Sequence, residues 1–221
     1  MSFYGGLRPQ RVSPGAATVG LVDYGMGNRR SVQKALEHVG ARVSVSPDPD
    51  VLDGADALVV PGVGSFPRAM ERLASLGLDS FLIEAAAAGK PILGICLGMQ
   101  LFFERSSEHG GAAGLGVVPG EVIDLQAGEL KLPHIGWSVV HWRRDAPLID
   151  GVREEVAYYH VHSYTCAPAE ADAVLGEAEY GGRFTTAVVH GSFAGVQFHP
   201  EKSSLDGLAL LANFVSSCVA V

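Results

Sequence analysis

One cysteine in this chain lies in a sequence pattern that suits a nucleophile. Cys96 follows the apolar run Pro91–Ile95, which predicts a buried strand, and precedes Leu97–Phe103, which predicts the first turns of a helix. Gly94 and Gly98 flank it, as in the G-x-S-x-G turn that exposes a nucleophile between strand and helix. The positive end of a helix dipole at such a turn favours a thiolate. The pattern therefore predicts a reactive thiolate, although a buried structural cysteine between loop glycines fits it too.

A histidine and a glutamate late in the chain could complete the chemistry of a thiolate. His199 and Glu201 directly follow the predicted strand Ala194–Phe198. A thiolate nucleophile needs a base that takes its proton and later returns it to a leaving amine, and His199 suits this role. Glu201 could bind the far ring nitrogen and fix the tautomer of His199. A single histidine beside a proline is more often an ordinary loop residue, but its combination with Cys96 is far more specific.

Two further patterns could indicate a metal or a cofactor, and both are weak. His160 and His162 alternate along a predicted strand, but two ligands alone make a weak metal site. The glycine-rich turn Gly25–Asn28 lacks the Lys-Ser/Thr ending of a phosphate-binding loop. We therefore expect neither a metal nor another cofactor.

The first half of the chain alternates predicted strands and helices. This rhythm is typical of a parallel sheet covered by helices on both faces. Ligands of such sheets bind at the carboxyl ends of the strands, so we expect Cys96 to lie beside Gly62–Gly64 and the turn Tyr24–Asn28. The predicted strands are Thr18–Asp23, Arg42–Ser46, Ala57–Val60 and Pro91–Ile95, and the predicted helices are Arg30–Val39, Phe66–Ala74 and Ser80–Ala88.

The second half contains short strand-like runs separated by glycine or proline, which predict antiparallel hairpins. A predicted helix, Leu205–Ser217, closes the chain. We therefore predict a three-layer α/β/α fold with a mostly parallel central sheet, an antiparallel extension in the C-terminal half, and a nucleophile elbow at Cys96. The predicted strands of this half are Glu121–Leu125, Ser138–Trp142, Val156–Val161, Ala173–Ala178, Thr185–Val189 and Ala194–Phe198.

Length and composition are typical of one globular domain. The 221 residues are 48% apolar and 18% charged, which argues against a disordered chain. We expect residues 18–221 to form this domain and residues 1–17, with several glycines and prolines, to be a loose extension. The net charge of −8 argues against a nucleic-acid partner. Three widely spaced cysteines, and no apolar run of membrane-spanning length, favour the cytoplasm.

The residues around Cys96 and His199 resemble those of the class I (triad-type) glutamine amidotransferases. Three further stretches narrow the resemblance to the glutaminase subunits of imidazole glycerol phosphate synthases, which act in histidine biosynthesis. The resemblance extends from about Thr18 to the C-terminus. The stretches are Val22–Asn28, Pro133–Trp137 and Val161–Tyr164.

The resemblance implies a two-protein enzyme. This subunit would hydrolyse glutamine to glutamate and pass ammonia to a separate (β/α)8-barrel cyclase, with which it forms a heterodimer. The cyclase would make imidazole glycerol phosphate and aminoimidazole carboxamide ribotide. Cys96 would attack the side-chain amide of glutamine, His199 would act as base and then as acid, and Glu201 would orient His199.

Further roles follow from the same resemblance. On the sequence alone, His134, Trp137 and Tyr158 fit ordinary packing at a sheet edge as well as they fit contact with a partner. The residues implied to supply N–H groups to the oxyanion are Leu97 and Val63 or Gly64. The residues implied to bind glutamine are Gly62, Gln100, Glu108, Ser163 and Tyr164. The residues implied to contact the cyclase are Asn28, His134, Trp137, Tyr158 and Lys202.

Two departures from the family pattern concern the expected partner face. Ser138 follows the Pro-His-x-Gly-Trp motif where asparagine is usual, and Tyr159-His160 stand where phenylalanine is common. Two alternatives stay open: a glutaminase that serves another acceptor synthase, and a non-catalytic regulatory subunit. The Asp23–Asn28 and Pro133–Trp137 motifs argue against the first, and the complete set of Cys96, His199 and Glu201 argues against the second.

Overall fold

The computed structural model describes residues 16–218, which form a sheet of thirteen strands with six α-helices. Of the predicted extension, residues 1–17, only Ala16 and Ala17 lie within this range, and Ala17 is buried. Across these residues, no helix is long and apolar enough to span a membrane. The helices are α1 (Arg29–His38), α2 (Pro49–Asp53), α3 (Phe66–Ser75), α4 (Leu78–Ala87), α5 (Leu97–Gln100) and α6 (Ser204–Ser217). The strands are β1 (Thr18–Val22), β2 (Arg42–Ser46), β3 (Ala57–Gly62), β4 (Ile92–Cys96), β5 (Phe103–Ser106), β6 (Ala112–Ala113), β7 (Val118–Asp124), β8 (His134–Trp142), β9 (Glu155–His162), β10 (Tyr164–Pro168), β11 (Val174–Glu179), β12 (Arg183–His190) and β13 (Phe193–Val196).

Five strands form the parallel part of the sheet, in the order β2-β1-β3-β4-β13. Alternate residues of these strands point to opposite faces. On one face, Val59 packs in a buried cluster with Leu36 of α1 and Leu211 of α6. On the other face, Leu58 packs in a second cluster with Leu73 of α3 and with residues of α4. This arrangement confirms the predicted three-layer α/β/α architecture.

The antiparallel extension begins beyond β13. The sheet continues through β12, β10, β7, β5 and β6, and β5 with β7 is a further parallel pair. A branch of β11, β8 and β9 leaves β12, and β8 with β9 forms a hairpin paired from His134–His162 to His141–Glu155. The predicted antiparallel extension is therefore confirmed, and each strand predicted in this half has a counterpart in the structure.

The helix predicted after Cys96 is shorter than expected. It ends at Gln100, and the chain turns at Leu101 into β5. The carbonyl groups of Leu101 and Phe102 accept hydrogen bonds from the N–H groups of Leu115 and Val117, at 2.8 and 2.9 Å. These long-range bonds replace the helical pattern, so the prediction of helix as far as Phe103 is wrong. The strands β5, β6 and β10 and the helix α2 were not predicted.

The carboxyl ends of the parallel strands bring three predicted segments together. In the register of β3 and β4, Gly62 pairs with Cys96, and β13 runs beside β4 toward His199. A Cβ built on Gly27 would lie 3.5 Å from the Cα of Gly62, so the turn after β1 contacts the end of β3. The predicted meeting of these segments at one sheet edge is confirmed.

Candidate active site

The backbone at Cys96 makes the sharp turn that the sequence predicts. Cys96 ends β4 and precedes α5 with φ of 56° and ψ of −113°, which non-glycine residues rarely adopt. A Cβ on Gly98 would lie 1.8 Å from the carbonyl oxygen of Val60. A Cβ on Gly94 would lie 2.7 Å from the carbonyl oxygen of Gly98. Backbone atoms therefore exclude a side chain at either glycine, and the turn holds the thiol at the strand end.

The side chains of His199 and Glu201 are paired and buried. Nδ1 of His199 lies 2.9 Å from Oε1 of Glu201, and the two side chains are 3% and 0% exposed. A carboxylate only accepts hydrogen bonds, so Nδ1 carries the proton and donates it. Nε2 is then the ring nitrogen available to the Cys96 thiol. The structure therefore brings the three predicted catalytic side chains into one connected arrangement.

Electrostatics at this arrangement favour a charged imidazole. Burial alone would lower the pKa of His199, but the contacts with the Cys96 sulfur and the Glu201 carboxylate raise it to about 10. His199 is therefore an imidazolium at neutral pH. A cation beside the sulfur stabilises the thiolate, which is the nucleophilic form of cysteine.

A small cavity of about 190 Å³ opens onto the sulfur. Cys96 and His199 both line it, and Lys202 lies at its lining as well. A larger, more open cavity of about 1150 Å³ lies elsewhere, between residues that follow β8 and the end of α6, such as Arg144 and Asn213. The larger cavity contains none of the predicted catalytic residues. The smaller cavity is therefore the candidate active site.

The predicted oxyanion residues lie in the same cavity. Leu97, Val63 and Gly64 all line it, beside the sulfur of Cys96. Gly64 has φ of 112°, in the region that glycine adopts readily. The backbone before these residues is fixed, because the Tyr24 hydroxyl donates to the carbonyl oxygen of Pro61 at 2.7 Å. N–H groups near the sulfur are the donors that a tetrahedral oxyanion requires.

Four of the five residues predicted to bind glutamine line the cavity, namely Gln100, Glu108, Ser163 and Tyr164. Glu108 is buried, and its Oε2 accepts from the N–H of Phe66 at 2.7 Å. Gly62 is the exception. A Cβ there would lie 2.5 Å from the Tyr24 hydroxyl and 2.8 Å from the Cβ of Leu97, so Gly62 packs behind the elbow. The structure shows close packing at Gly62, and its contact with substrate stays a prediction.

One buried glutamine at the site was missed from the sequence. Nε2 of Gln197 lies 3.6 Å from the Cys96 sulfur, and its Oε1 accepts from Nε2 of Gln100 at 2.9 Å. Gln197 is fully buried. The sequence pattern that could have revealed Gln197 is its position two residues before His199, because alternate residues of an extended segment point to the same side. Gln197 supplies a hydrogen-bond donor to the sulfur.

The residues predicted to contact a partner separate into two groups. Trp137 is 54% exposed, Lys202 is exposed and Asn28 is half-buried, so their side chains are available to a partner. His134 and Tyr158 are 2% and 0% exposed, so in this structure, unlike the other three, their side chains are not available to a partner. Both side chains pack inside the chain.

The more accessible aromatic residue on β9 is the neighbour, Tyr159, which is half-buried. Along this strand, Tyr158 points inward and stacks on Phe198, at 4.0 Å between ring centroids. Tyr159 points to the other side, where its ring lies 5.9 Å from that of Trp137 and 5.9 Å from Nζ of Lys202. The period of two along a strand causes this difference.

Solved structures with the same fold are glutamine amidotransferases or parts of related assemblies. A chain of PurLQS from Thermotoga maritima superposes with a TM-score of 0.73, at 19% identity, over 91% of this chain and 99% of that chain. A structure described as a glutamine amidotransferase superposes with a TM-score of 0.71, at 18% identity, over 92% and 99%. The sequence model of the family "Glutamine amidotransferase class-I" matches residues 20–218. The chain belongs to the class-I glutamine amidotransferase family, and it is a glutamine amidotransferase.

Relatives of known name define the branch within this family. The imidazole glycerol phosphate synthase subunit HisH of Bacillus licheniformis is 50% identical over 201 residues, covering 89% of this chain and 94% of the relative. The HisH subunit of Aromatoleum aromaticum is 47% identical over 208 residues, covering 90% and 97%. That of Aquifex aeolicus is 48% identical over 195 residues, covering 88% and 94%. Within the class-I family, the chain belongs to the HisH branch.

Proposed function

We propose that this chain is the glutaminase subunit of an imidazole glycerol phosphate synthase. The observation that carries the proposal is that Cys96 and His199 line one cavity, with a 2.9 Å hydrogen bond from His199 to the buried side chain of Glu201. The identity to HisH subunits supports the choice of reaction. The residue roles and the partner described below are part of this proposal.

Catalysis begins with the thiolate of Cys96. The sulfur attacks the side-chain amide carbon of glutamine, and the carbonyl oxygen becomes an oxyanion held by the N–H groups of Leu97 and Gly64. Each such preorganised donor lowers the barrier by roughly 3 kcal/mol. His199 then gives its proton to the leaving nitrogen as the C–N bond breaks, so ammonia departs and a thioester forms. Water, deprotonated by His199, attacks the thioester, which releases glutamate and restores the thiolate.

Substrate recognition uses the polar groups of the remaining cavity wall. The buried carboxylate of Glu108 suits the α-ammonium group of glutamine, because opposite charges attract strongly where water is excluded. Gln100 presents its amide to the same cavity, with its Nε2 committed to protein partners. Ser163 and Tyr164 suit the α-carboxylate of glutamine, partly through their backbone. The cavity therefore holds both polar ends of an amino acid.

The ammonia passes to a cyclase subunit with a (β/α)8 barrel, in a heterodimer. Strand β8 supports the association with a partner, because Ile135, Trp137 and Val139 point outward and are 61, 54 and 42% exposed. Three exposed apolar side chains in a row are typical of a surface that a partner covers. The cyclase makes imidazole glycerol phosphate and aminoimidazole carboxamide ribotide. We further propose that residues 18–221 form one amidotransferase domain and that the complex acts in the cytoplasm.

Substitution of the nucleophile tests this function. In the complex with the cyclase, we expect Cys96→Ala to abolish synthesis from glutamine, because no other group can form the thioester. Synthesis from free ammonia should persist, since the cyclase site is untouched. Cys166→Ala, a change at another buried cysteine, is the matched control and should leave both activities near wild type. Equal loss with glutamine and with ammonia in Cys96→Ala would refute the assignment.

A further inference from the structure

Three side chains connect strand β8 to the backbone of the cavity by consecutive hydrogen bonds. Oγ of Ser138 lies 3.1 Å from Nε2 of His134, whose Nδ1 lies 3.3 Å from Nε2 of His162. Nδ1 of His162 lies 2.9 Å from the carbonyl oxygen of Tyr164. That carbonyl oxygen also accepts from Nε2 of Gln100 at 3.3 Å, and both residues line the cavity. The bonds therefore run without interruption from β8 to the glutamine cavity.

The direction of donation along these bonds is fixed. A carbonyl oxygen only accepts, so Nδ1 of His162 carries the hydrogen, and its Nε2 accepts from Nδ1 of His134. Nε2 of His134 then accepts, and the Ser138 hydroxyl donates. Burial lowers the pKa of both histidines, to about 4 for His162, so each ring is neutral at pH 7 and has one N–H. The Ser138 hydroxyl is therefore the first donor of the series.

We propose that Ser138, His134 and His162 are positioning residues for glutamine, which act through the carbonyl group of Tyr164. This inference deepens the proposed function and rests on it. A fixed tautomer of His162 holds the Tyr164 carbonyl, and with it the backbone of residues 163–164 that lines the cavity. The outer end of the series is half-buried on β8, beside the exposed Trp137.

Two substitutions at position 138 separate the hydrogen bond from the packing. Ser138→Ala removes the donor, whereas Ser138→Asn supplies an amide N–H in its place. Asparagine is also the usual residue at this position in the family that the sequence resembles. We expect Ser138→Ala to raise the KM for glutamine about three- to tenfold, the range of one lost hydrogen bond, with little change in kcat. Ser138→Asn should keep a KM near wild type. Both are measured by glutaminase kinetics of the complex with the cyclase.

The split between KM and kcat decides the interpretation. A substitution that only reduces the folded fraction lowers apparent kcat and leaves KM unchanged. An unchanged KM in Ser138→Ala, or an equal rise in KM in both variants, would overturn the proposal. His134→Phe and His134→Asn give a second pair, because asparagine can place an N–H near the position of Nδ1 and phenylalanine cannot. The asparagine variant should have the lower KM.

A neighbouring histidine supplies the matched control. His160 is fully buried, and its ring stacks 5.2 Å from that of His134. Its own hydrogen bonds go to the carbonyl oxygen of Tyr158 and to Thr186, outside the series. His160→Phe should therefore leave the KM for glutamine unchanged. A rise equal to that of Ser138→Ala would mean that packing of the ring cluster sets the KM, which overturns the proposal.

Nitrogen-15 NMR of the histidine rings in the full chain gives a readout that does not depend on activity. We expect the neutral Nδ1–H tautomer at His134 and His162, and a change in the His134 resonances in Ser138→Ala. The Nε2–H tautomer at His162 would overturn the series of bonds whatever the kinetics. Absence of glutaminase activity in the wild-type complex would overturn the proposed function, and the positioning role with it, while the tautomers stay as described.

Discussion

His199 is held between two groups that both favour its charged form. Its Nδ1 is bonded to one oxygen of Glu201, and the other oxygen, Oε2, is buried with no hydrogen-bond partner among residues 16–218. Within this part of the chain, the hydrogen bond of the Glu201 side chain is therefore the one to His199. This geometry fixes the tautomer of the ring and stabilises its cation, and in the proposed mechanism the proton itself moves through His199.

This division of roles predicts an order of severity. His199→Ala removes the base and the acid, and we expect kcat/KM for glutamine to fall about 10²- to 10⁴-fold, the usual range for general acid–base catalysis. Glu201→Gln should cost less, because the amide oxygen can still accept from Nδ1. The measurement is glutaminase kinetics with the cyclase bound, on variants shown to be folded by circular dichroism. A larger loss in Glu201→Gln would show that the roles are assigned wrongly.

Sequence patterns located the side chains that do chemistry better than those around them. Cys96 and His199 were predictable because each lies at a strand end within a short pattern. Tyr158 was misplaced because both faces of β9 carry aromatic or apolar residues, so the phase of the alternation is not readable from the sequence. Gln197 was missed because its role depends on a contact with Cys96, 101 positions away in the chain.

Two glycines at the end of β3 have different structural roles. Gly62 is buried against the elbow, and a Cβ there would lie 2.9 Å from the N–H nitrogen of Gly98. Gly64 is exposed, and its Cβ would meet only the flexible end of Met26, at 2.7 Å. The segment is therefore less closely packed at Gly64 than at Gly62, and we expect the peptide between Val63 and Gly64 to be the part that can rotate. Its N–H group is a candidate oxyanion donor that can turn toward or away from the cavity.

We therefore expect Gly64→Ala to reduce glutaminase activity stimulated by the ligand-loaded cyclase, because alanine is strained at φ of 112° and restricts the peptide. Binding to the cyclase should stay near wild type. Gly191→Ala is the matched control, since Gly191 also has a positive φ, of 57°, with no atom within 4 Å of the added Cβ. It should lose stability but keep activity. Full activity of the isolated subunit without the cyclase would show that rotation of this peptide does not regulate the glutaminase.

Elements were predictable where local pattern and long-range pairing agree. The strands β1 to β4 and the helices α1, α3 and α6 follow apolar periodicity, so their positions agree with the sequence to within a few residues. The segment after Gln100 has helical composition, but Phe103 begins the strand β5 and pairs with Val118 of β7. Pairing with a strand 15 positions away overrides the local preference for a helix, and no local sequence pattern predicts that pairing.

Across the whole molecule, three buried histidines make the fold sensitive to acid. Burial lowers the pKa of His134, His160 and His162, to about 4 for His162. Above pH 6.5, the ordinary histidine pKa, these rings are neutral in both the folded and the unfolded chain. As the pH falls below 6.5, the unfolded chain binds protons that the folded chain excludes. The contribution of these three rings to stability is therefore full above pH 6.5 and is lost as the pH falls toward 4.

Removal of one of these histidines should reduce the acid sensitivity. We expect the free energy of unfolding of wild type to fall more steeply than that of His160→Phe between pH 6.5 and 4. The difference in slope is up to about 1.4 kcal/mol per pH unit, the value for one proton. Urea denaturation at several pH values measures both slopes, and titrating groups that are not coupled to His160 cancel in the difference. Parallel curves for the two proteins would show that His160 titrates equally in the folded and unfolded states.

The positive φ of Cys96 sets catalysis and folding against each other at one residue. A non-glycine residue in such a sparsely populated conformation costs roughly 1–3 kcal/mol, in every folded molecule and whether or not substrate is bound. A native domain has a net stability of only about 5–15 kcal/mol, so this is a sizeable fraction of it. Glycine would relieve the strain but has no nucleophile. Selection for stability alone would therefore remove the sulfur, and its presence marks a position where activity has outweighed robustness of the fold.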